Sequence, residues 1–349
     1  MISPNTTSRP ESTSLFREAA QAAAIVRQQF AANESLMGEL GARLRGLGPK
    51  AVVTCARGSS DHAATFAKYL IETRLGLVTA SAAPSVSSLY EAQPQLRDML
   101  LLAISQSGAS PDLLAAVDSA RAAGSLIVAL VNAESSPLAR AADIAIPLRA
   151  GEERSVAATK SYIASIAAVI HLVAAWAQDG RLLEQLRRAA ESLERAWERD
   201  WSSALSRLQG ADHLFVVGRG LGLGIAQEAA LKLKETCGIH AEALSAAELR
   251  HGPIALVKPG FPVLIFAQSD ETHASVESLA AEIASRGAEV VIAGARAPQA
   301  LVLPSEEAPA AIQPMLLIQS FYRLVNSLAL ARGYDPDRPP HLRKITETV

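Results

Sequence analysis

The chain has 349 residues, a length that corresponds to two or three domains at about 100 to 200 residues each. Hydrophobic residues make up 49% of the sequence and charged residues 19%, a composition that excludes an intrinsically disordered chain. Lys and Arg number 33 against 35 Asp and Glu, so no excess positive charge favours nucleic acid or an anionic membrane as a partner. Any anionic ligand must therefore be bound by a local arrangement of residues.

Cysteine content and hydropathy exclude further classes. Cys55 and Cys237 are too few for a disulfide framework or a multi-thiolate metal site, and we expect no bound metal. The longest apolar run, 163–177, is shorter than the roughly 20 residues that a bilayer span needs, so it is expected to form a buried core helix. Residues 1–14 lack the basic start and apolar stretch of a signal peptide. We therefore expect a cytoplasmic protein with a loose N-terminal tail.

The predicted elements alternate between helices and strands. An Ala-rich helical pattern covers residues 14–47 and ends at a Gly and Pro cluster. Three apolar runs of strand type and two helical patterns follow, the strands at 51–56, 99–104 and 126–131 and the helices at 61–72 and 111–123. Because no hairpin signal separates the strands, crossover helices should join parallel strands. The sequence predicts a doubly wound α/β sheet.

The first half of the sequence recurs in the second half. Arg57-Gly58 returns as Arg219-Gly220 and Gln106-Ser107 as Gln268-Ser269, both 162 positions later and in matching strand and loop contexts. We therefore predict two tandem flavodoxin-like domains related by internal duplication. The predicted divisions are a tail and helix at 1–50, a first domain at 51–178, a linking helix at 179–209, a second domain at 210–333 and a C-terminal tail at 334–349.

A serine-rich loop between a predicted strand and helix is a candidate anion site. Residues 105–111 read SQSGASP, and backbone N–H groups converge at a helix N-terminus in such a position. Ser110 is also a natural N-cap, so capping alone explains part of this pattern. The corresponding loop at 268–272 carries Asp270 and Glu271, whose charges would repel a phosphate. Only the first loop is therefore predicted to bind phosphate.

Several charged residues have spacings suited to acid and base chemistry. Glu228, Lys232 and Glu235 stand at i, i+4 and i+7 and share one helix face, although a solvated salt-bridge stripe has the same spacing. His251 follows a capping box and could simply complement a helix C-terminus. Lys344, near the C-terminus, would ordinarily be a solvated lysine. These patterns alone indicate a phosphorylated small molecule bound to a duplicated α/β protein.

The same segments resemble the sugar-isomerase (SIS) superfamily, most closely the isomerase half of glucosamine-6-phosphate synthase. The resemblance extends from about residue 51 to the C-terminus and depends on SQSG at 105–108, ERSVAATK at 153–160, GRG at 218–220, ALKLKETCGIHAEALSAAELRHGP at 230–253 and DRPPHLRK at 337–344. The 24-residue block at 230–253 is far more specific than a lone glycine motif.

The resemblance implies a role for each site residue. By resemblance, the phosphate-binding residues are Ser60, Ser105, Gln106, Ser107 and Ser110, and the residues that line the sugar are Glu153 and Val156. Among the charged residues, Lys232 and Glu228 would support Glu235. The family forms homodimers with shared active sites, in which the neighbouring subunit supplies the residue equivalent to His251.

By the same resemblance, three residues carry the chemistry. Glu235 falls on the carboxylate that moves a proton between sugar C1 and C2, which one carboxylate on one face can both remove and return. His251 falls on the ring-opening histidine, whose side chain titrates near neutrality. Lys344 falls on the lysine that meets the open-chain carbonyl, where an amine can form or stabilise an imine. This chemistry requires no metal or redox cofactor.

The sequence also departs from the synthase. It begins Met1-Ile2-Ser3 without the N-terminal cysteine of the glutamine-hydrolysing domain, so glutamine is not expected to supply nitrogen. Arg57 replaces the family's cysteine before Gly58, and residues 221–224 are richer in glycine. The resemblance therefore favours the deaminase branch, which converts glucosamine 6-phosphate to fructose 6-phosphate and ammonia.

Other functions stay open at this stage. Within the enzyme class they are a galactosamine-6-phosphate deaminase or isomerase, a deglycase of a phosphorylated fructosamine and an ammonia-dependent synthase. A non-catalytic phosphosugar sensor is the alternative from another class. Such sensors usually carry a DNA-binding helix-turn-helix, whereas residues 1–50 hold one long helix with little basic character. Retention of Glu235, His251 and Lys344 together also disfavours a pure sensor.

Overall fold

The computed structural model describes residues 9–344. The first eight residues of the predicted tail and the last five of the predicted C-terminal segment lie outside the described residues. Within that range the chain forms two compact units. The first-sheet unit comprises 24–152 and 161–188, and the second-sheet unit comprises 9–23, 153–160 and 189–344. Each unit contains one five-stranded sheet of parallel strands, which confirms the predicted α/β class.

The elements up to residue 188 alternate much as the sequence predicts. They are α1 (Ser14–Ala19), α2 (Ala22–Leu47), β1 (Val52–Cys55), α3 (Ser59–Leu75), β2 (Thr79–Ser81), α4 (Ser85–Ser88), β3 (Leu100–Ser105), α5 (Pro111–Ala122), β4 (Leu126–Val131), α6 (Pro137–Ala141), β5 (Ile144–Pro147), α7 (Lys160–Ala177) and α8 (Gly180–Arg187). The helical pattern at 14–47 is divided into α1 and α2, because the chain turns at residues 20–21.

The remaining elements belong to the second-sheet unit. They are α9 (Ala189–Trp197), α10 (Leu205–Leu208), β6 (His213–Gly218), α11 (Gly222–Cys237), β7 (His240–Ser245), α12 (Ala246–Arg250), β8 (Pro262–Phe266), α13 (His273–Ser285), β9 (Glu289–Ala293), β10 (Leu301–Leu303) and α14 (Gln313–Ala331). Over 179–209, where the sequence predicts one linking helix, the structure has α8, α9 and α10 with a short 3-10 turn.

The first sheet has the strand order β2-β1-β3-β4-β5. Its central strands β1, β3 and β4 are mostly apolar and buried almost along their whole length, because both faces of a parallel sheet are covered. One core cluster packs Leu101 and Ile127 against Leu113 and Val117 of α5. α7 is long and apolar enough to cross a membrane, but 89% of its residues are buried within the protein. The longest apolar run therefore forms a core helix, as the sequence predicts.

The second sheet has the order β7-β6-β8-β9-β10. Its core places Val263 and Ile265 of β8 against Leu279 and Ile283 of α13. In each sheet the first strand lies between the second and third strands of its own unit, so the chain reverses direction of winding there. Ligand crevices of doubly wound sheets open at such a point, outside the carboxyl ends of the strands. We therefore expect ligand crevices at the loops after β1 and β3 and at those after β6 and β8.

Two glycines of α2 provide a test of helix packing in the first-sheet unit. A Cβ at Gly41 would lie 2.7 Å from the backbone carbonyl carbon of Ala175 in α7, whereas one at Gly38 would have nothing within 4 Å. We expect Gly41→Ala to lower the free energy of unfolding by about 1 to 3 kcal/mol through overpacking. The matched change Gly38→Ala should raise it by about 0.5 to 1 kcal/mol through helix propensity. Urea unfolding measures both, and equal effects would contradict the close approach.

Candidate functional site

The serine-rich loop of the first-sheet unit is held in shape by its own hydroxyls. It connects the end of β3 at Ser105 to the start of α5. The N–H of Gly108 donates to Ser105 Oγ at 2.9 Å, and the N–H of Ala109 donates to Ser107 Oγ at 3.4 Å. Gly108 has φ +61°, and a Cβ there would lie 2.2 Å from Ser136 Oγ. Only glycine fits this turn, which bends the loop over the end of the strand.

Two helices of the first-sheet unit begin beside this loop. β1 pairs with β3, so α3 and α5 start at the carboxyl ends of neighbouring strands. The N-cap residues, Gly58 for α3 and Ser110 for α5, make no side-chain cap hydrogen bond in the described structure. Among the predicted phosphate-binding residues, Ser105 is buried. The other side chains are partly exposed, namely Ser60, Gln106, Ser107 and Ser110. Hydroxyls and helix N-termini therefore meet in an arrangement suited to an anion.

In the corresponding loop of the second-sheet unit, side-chain oxygens already accept hydrogen bonds from backbone N–H groups. Ser269 N–H donates to Gln313 Oε1 at 2.6 Å, and Thr272 N–H donates to Asp270 Oδ1 at 2.8 Å. Asp270 also accepts a hydrogen bond through Oδ2, at 2.9 Å, from the side-chain amide of buried Gln268. The carboxylate of Asp270 thus takes donors that an external anion would need. The two loops differ in their available donors as well as in their charge.

The charged residues of α11 are buried and paired. Lys232 Nζ donates to Glu235 Oε2 at 2.5 Å and lies 3.4 Å from Glu228 Oε1. The side chains of Glu228 and Lys232 are 0% and 1% exposed, and that of Glu235 is 18% exposed. The predicted spacing on one helix face is confirmed, but the alternative of a solvated salt-bridge stripe is wrong because the face is buried.

The carboxylates keep Lys232 charged in spite of its burial. Desolvation alone would lower the pKa of Lys232, but the charges of Glu228 and then Glu235, together with the hydrogen bond that Lys232 donates to Glu235, raise it above its ordinary value. Glu153 adds a further attraction in the same direction. Lys232 is therefore an ammonium group at neutral pH, and it lies beside the carboxylate oxygens of Glu228 and Glu235.

Glu153 and Lys344 extend this charged group within the second-sheet unit. The Glu153 side chain is fully buried, and its carboxylate accepts from the N–H of Thr159 at 3.0 Å and lies 3.3 Å from Lys344 Nζ. Lys344 also donates to the carbonyl of Ser155 at 2.6 Å, and its side chain is 26% exposed. The alternative of a solvated lysine is thus wrong for Lys344. Val156, in the same segment, is half-buried.

Two residues that sequence reasoning missed support the group. Glu18 of α1 accepts hydrogen bonds from the N–H groups of Arg154 and Ser155, at 2.6 and 3.1 Å, and so holds the segment that carries Glu153. Tyr322 of α14 is fully buried, and its hydroxyl donates to Glu228 Oε1 at 3.3 Å. The available signals were an acidic residue on the apolar face of α1 and a hydroxyl in the apolar helix α14. Neither signal identifies its partner.

His251 lies apart from this hydrogen-bonded group. Its position is the C-cap of α12, whose N-cap Ser245 accepts from the N–H of Ala247 at 3.4 Å, so the predicted short capped helix is confirmed. His251 is exposed, and its side chain makes no hydrogen bond or ion pair within residues 9–344. The next residue, Gly252, has φ +145°, a conformation that favours glycine. The structure therefore presents an imidazole at the surface of the second-sheet unit.

Comparison with known proteins identifies the family of the chain. A family model described as SIS domain matches residues 48–175 and 207–297. The chain belongs to the SIS family. The glutamine–fructose-6-phosphate aminotransferase (isomerizing) of Aeropyrum pernix is 37% identical to it over 312 residues, which cover 84% of this chain and 50% of that protein. The chain thus spans about half the length of the curated relatives it matches, and the part they share is the isomerase part.

Solved structures of SIS proteins share the same fold. A protein of Silicibacter pomeroyi assigned as a phosphosugar isomerase is 42% identical, with a TM-score of 0.89 over 93% of this chain and all of that one. The C-terminal domain of glucosamine-fructose-6-phosphate aminotransferase from Francisella tularensis is 25% identical, with a TM-score of 0.85 over 94% of this chain and 98% of that one. The SIS resemblance inferred from the sequence motifs is confirmed.

The buried ammonium of Lys232 provides a stability test. Lys232→Met should lower the free energy of unfolding by about 3 to 5 kcal/mol, because it leaves Glu228 buried without its cation. Since the folded pKa of Lys232 is raised, its contribution is complete below the ordinary lysine pKa of about 10.4 and is lost only as pH rises through the folded value. The difference between wild type and variant should therefore stay constant from pH 7 to pH 9.

The matched control for this test lies two residues away. Lys234 is on the exposed side of α11, so Lys234→Met should change stability by less than about 0.5 kcal/mol. Guanidinium chloride unfolding of the three proteins gives both numbers. A small effect of Lys232→Met, similar to that of Lys234→Met, would contradict a structural role for the buried ion group.

Proposed function

We propose that the protein isomerises and deaminates a phosphorylated amino sugar, converting glucosamine 6-phosphate and water to fructose 6-phosphate and ammonia. The observation that carries the proposal is the buried ion group of α11, in which Lys232 and Glu228 are enclosed while Glu235 keeps contact with solvent. A carboxylate that is held by a hydrogen bond and is accessible to solvent suits removal of a proton from carbon. Similarity to the isomerase part of an aminotransferase named for fructose 6-phosphate supports this substrate class.

In the proposed reaction Glu235 moves one proton between two carbons. The opened sugar has an aldehyde at C1 and an amine at C2. Glu235 would take the proton from C2 while the C1 oxygen gains a proton from solvent, giving an enolamine. Glu235 would then return its proton to C1 while the amine loses one to solvent, giving an imine at C2. Water would then add to C2 and ammonia would leave, so that glucosamine 6-phosphate plus water balances fructose 6-phosphate plus ammonia. Lys232, hydrogen-bonded to Glu235, would hold the carboxylate in place.

The other residues would bind and polarise the substrate. Lys344, held by Glu153 and the carbonyl of Ser155, would direct its ammonium to the oxygen of the open-chain carbonyl and stabilise developing negative charge. Val156 and Glu153 would line the sugar. The loop donors that would hold the 6-phosphate are those of Ser60, Ser105, Gln106, Ser107 and Ser110, at the helix N-termini of the first-sheet unit.

We further infer that the two units arose by duplication. Each sheet has the same strand order within its unit, and Arg-Gly and Gln-Ser pairs recur at the same spacing. The second copy of the loop would have lost anion binding when Asp270 took its donors.

Replacement of the proposed base separates binding from chemistry. Glu235→Gln keeps the size and hydrogen-bonding capacity of the side chain but removes its basicity, so turnover should fall by about 10² to 10⁴-fold while binding of the sugar phosphate survives. Ammonia release measures turnover, and hydrogen exchange at C1 and C2 in deuterated water measures proton transfer without nitrogen loss. Glu191→Gln, on the exposed face of α9, is the control and should leave both rates unchanged.

The same assay decides among substrates and classes. Galactosamine 6-phosphate and a phosphorylated fructosamine tested beside glucosamine 6-phosphate identify the sugar by the highest kcat/KM. Exchange without ammonia release would indicate an isomerase that retains nitrogen. Tight binding of these sugars by the wild type with neither reaction would overturn the catalytic proposal in favour of a sensor.

We propose that His251 opens the sugar ring in the active site of a partner subunit, because it is exposed and lies outside the hydrogen-bonded group of its own chain. Mixing inactive His251→Ala chains with inactive Glu235→Gln chains should then restore activity. Each hybrid dimer would hold one intact site and one site that lacks both residues, giving at most about half the wild-type activity per hybrid dimer. Unmixed variants are the controls. No recovery after subunit exchange verified by mass spectrometry would contradict the shared site.

A further inference from the structure

An ion pair in the first-sheet unit joins the two loops that end β1 and β3. Arg57 follows β1, and Asp112 lies in the first turn of α5, directly after the serine-rich loop. The guanidinium of Arg57 donates to Asp112 Oδ2 through Nε at 2.8 Å and through a terminal nitrogen at 2.6 Å. The Asp112 side chain is 1% exposed, while that of Arg57 is 51% exposed. A partly exposed cation thus covers a buried carboxylate.

The position of Asp112 poses an electrostatic problem for an anion site. A negative charge in the first turn stabilises a helix, but it also repels a phosphate bound at the same N-terminus. Burial strengthens this repulsion because little water screens the carboxylate. The effect of both charges is visible at Cys55, whose pKa is raised to about 12, chiefly by burial and then by Asp112, while Arg57 acts in the opposite direction. Arg57 therefore offsets the charge of Asp112 inside this loop cluster.

The second-sheet unit shows the same arginine with a neutral partner. Arg219, at the recurring Arg-Gly position, donates to the hydroxyl of Ser275 at 2.9 Å. Ser275 lies in the first turn of α13, as Asp112 does in α5. A hydroxyl is thus sufficient to tie the strand end to the following helix. In the first-sheet unit, whose loop is proposed to bind phosphate, the equivalent contact is made by the carboxylate of Asp112 and therefore includes a negative charge.

We propose that Arg57 is a positioning residue for phosphate, which acts through Asp112 by cancelling its charge at the N-terminus of α5. Removal of Arg57 would take one positive charge from beside Asp112 and so increase the repulsion of a bound dianion. The inference rests on the proposed function, because it requires the serine-rich loop to bind a phosphate group. It explains why an arginine stands before Gly58 in a chain that also carries Asp112.

The test measures binding of inorganic phosphate to the full chain by isothermal titration calorimetry. Arg57→Ala should weaken binding roughly 10- to 100-fold, as expected for the loss of one positive charge acting over several ångströms at an effective dielectric constant of about 20. Adding Asp112→Asn to Arg57→Ala should restore affinity to within about threefold of wild type, because the repelling charge is gone. Arg219→Ala, the matched change in the second-sheet unit, should leave phosphate affinity unchanged.

Two further variants keep the test valid where Arg57→Ala fails to fold. Arg57→Lys retains the charge and should bind phosphate within a few-fold of wild type, whereas Arg57→Gln retains hydrogen bonding without charge and should bind as weakly as Arg57→Ala. Thermal unfolding of each variant reports stability separately from affinity. If Arg57→Gln or Arg57→Ala lowers stability but leaves phosphate affinity unchanged, the role is structural and the proposal is overturned.

The remaining outcomes separate this inference from the proposed function. If the double variant stays as weak as Arg57→Ala, the route through Asp112 is wrong and the proposal is overturned. Ser107→Ala serves as the control for the loop and should weaken binding, while Ser269→Ala should not. If the wild type does not bind phosphate and Ser107→Ala changes nothing, the phosphate site of the proposed function fails and this inference fails with it.

Discussion

The ammonium group of Lys232, enclosed between the carboxylates of Glu228 and Glu235, is the interaction on which the candidate chemistry depends. Taking three ionised groups out of water costs several kcal/mol per ion, and only their mutual attraction and further hydrogen bonds offset that cost. The structure supplies those bonds from elements far apart in sequence. Tyr322 of α14 donates to Glu228, and Glu153 adds charge from a segment that Glu18 of α1 fixes in place. The position of Glu235 is therefore set by three separate parts of the chain.

The sequence was sufficient for the fold class because the signals involved are local. Short apolar runs separated by helical patterns predict parallel strands, and parallel strands place the loops after them at one edge of a sheet. The serine-rich loop and the capped helix before His251 could be found in this way. The division of the helical pattern at 14–47 into α1 and α2 could not, because nothing in the Ala-rich pattern marks the turn at residues 20–21.

Burial of charge was beyond the reach of sequence patterns. The spacing of Glu228, Lys232 and Glu235 shows that they share a helix face. Whether that face is exposed to solvent depends on α14, which begins about 90 positions after the start of α11 in the sequence and packs against it. The Arg57 and Asp112 pair is similarly non-local, since its members lie 55 positions apart and meet only because β1 pairs with β3. Long-range pairing of charges leaves no period in a sequence, and the SIS resemblance gives roles without giving these partners.

In the second-sheet unit, the solvent exposure of each charged residue corresponds to the role that the proposed chemistry gives it. Glu228, Lys232 and Glu153, whose charges must stay constant, are fully or almost fully buried. Glu235, Lys344 and His251, which must meet substrate or exchange protons, keep contact with solvent. A buried ion pair resists titration because either partner would be left uncompensated, whereas a proton that is to be replaced at each turnover needs a route to water. Fixed charges inside and exchangeable ones at the surface let one helix hold a carboxylate in place while that carboxylate exchanges a proton with the substrate.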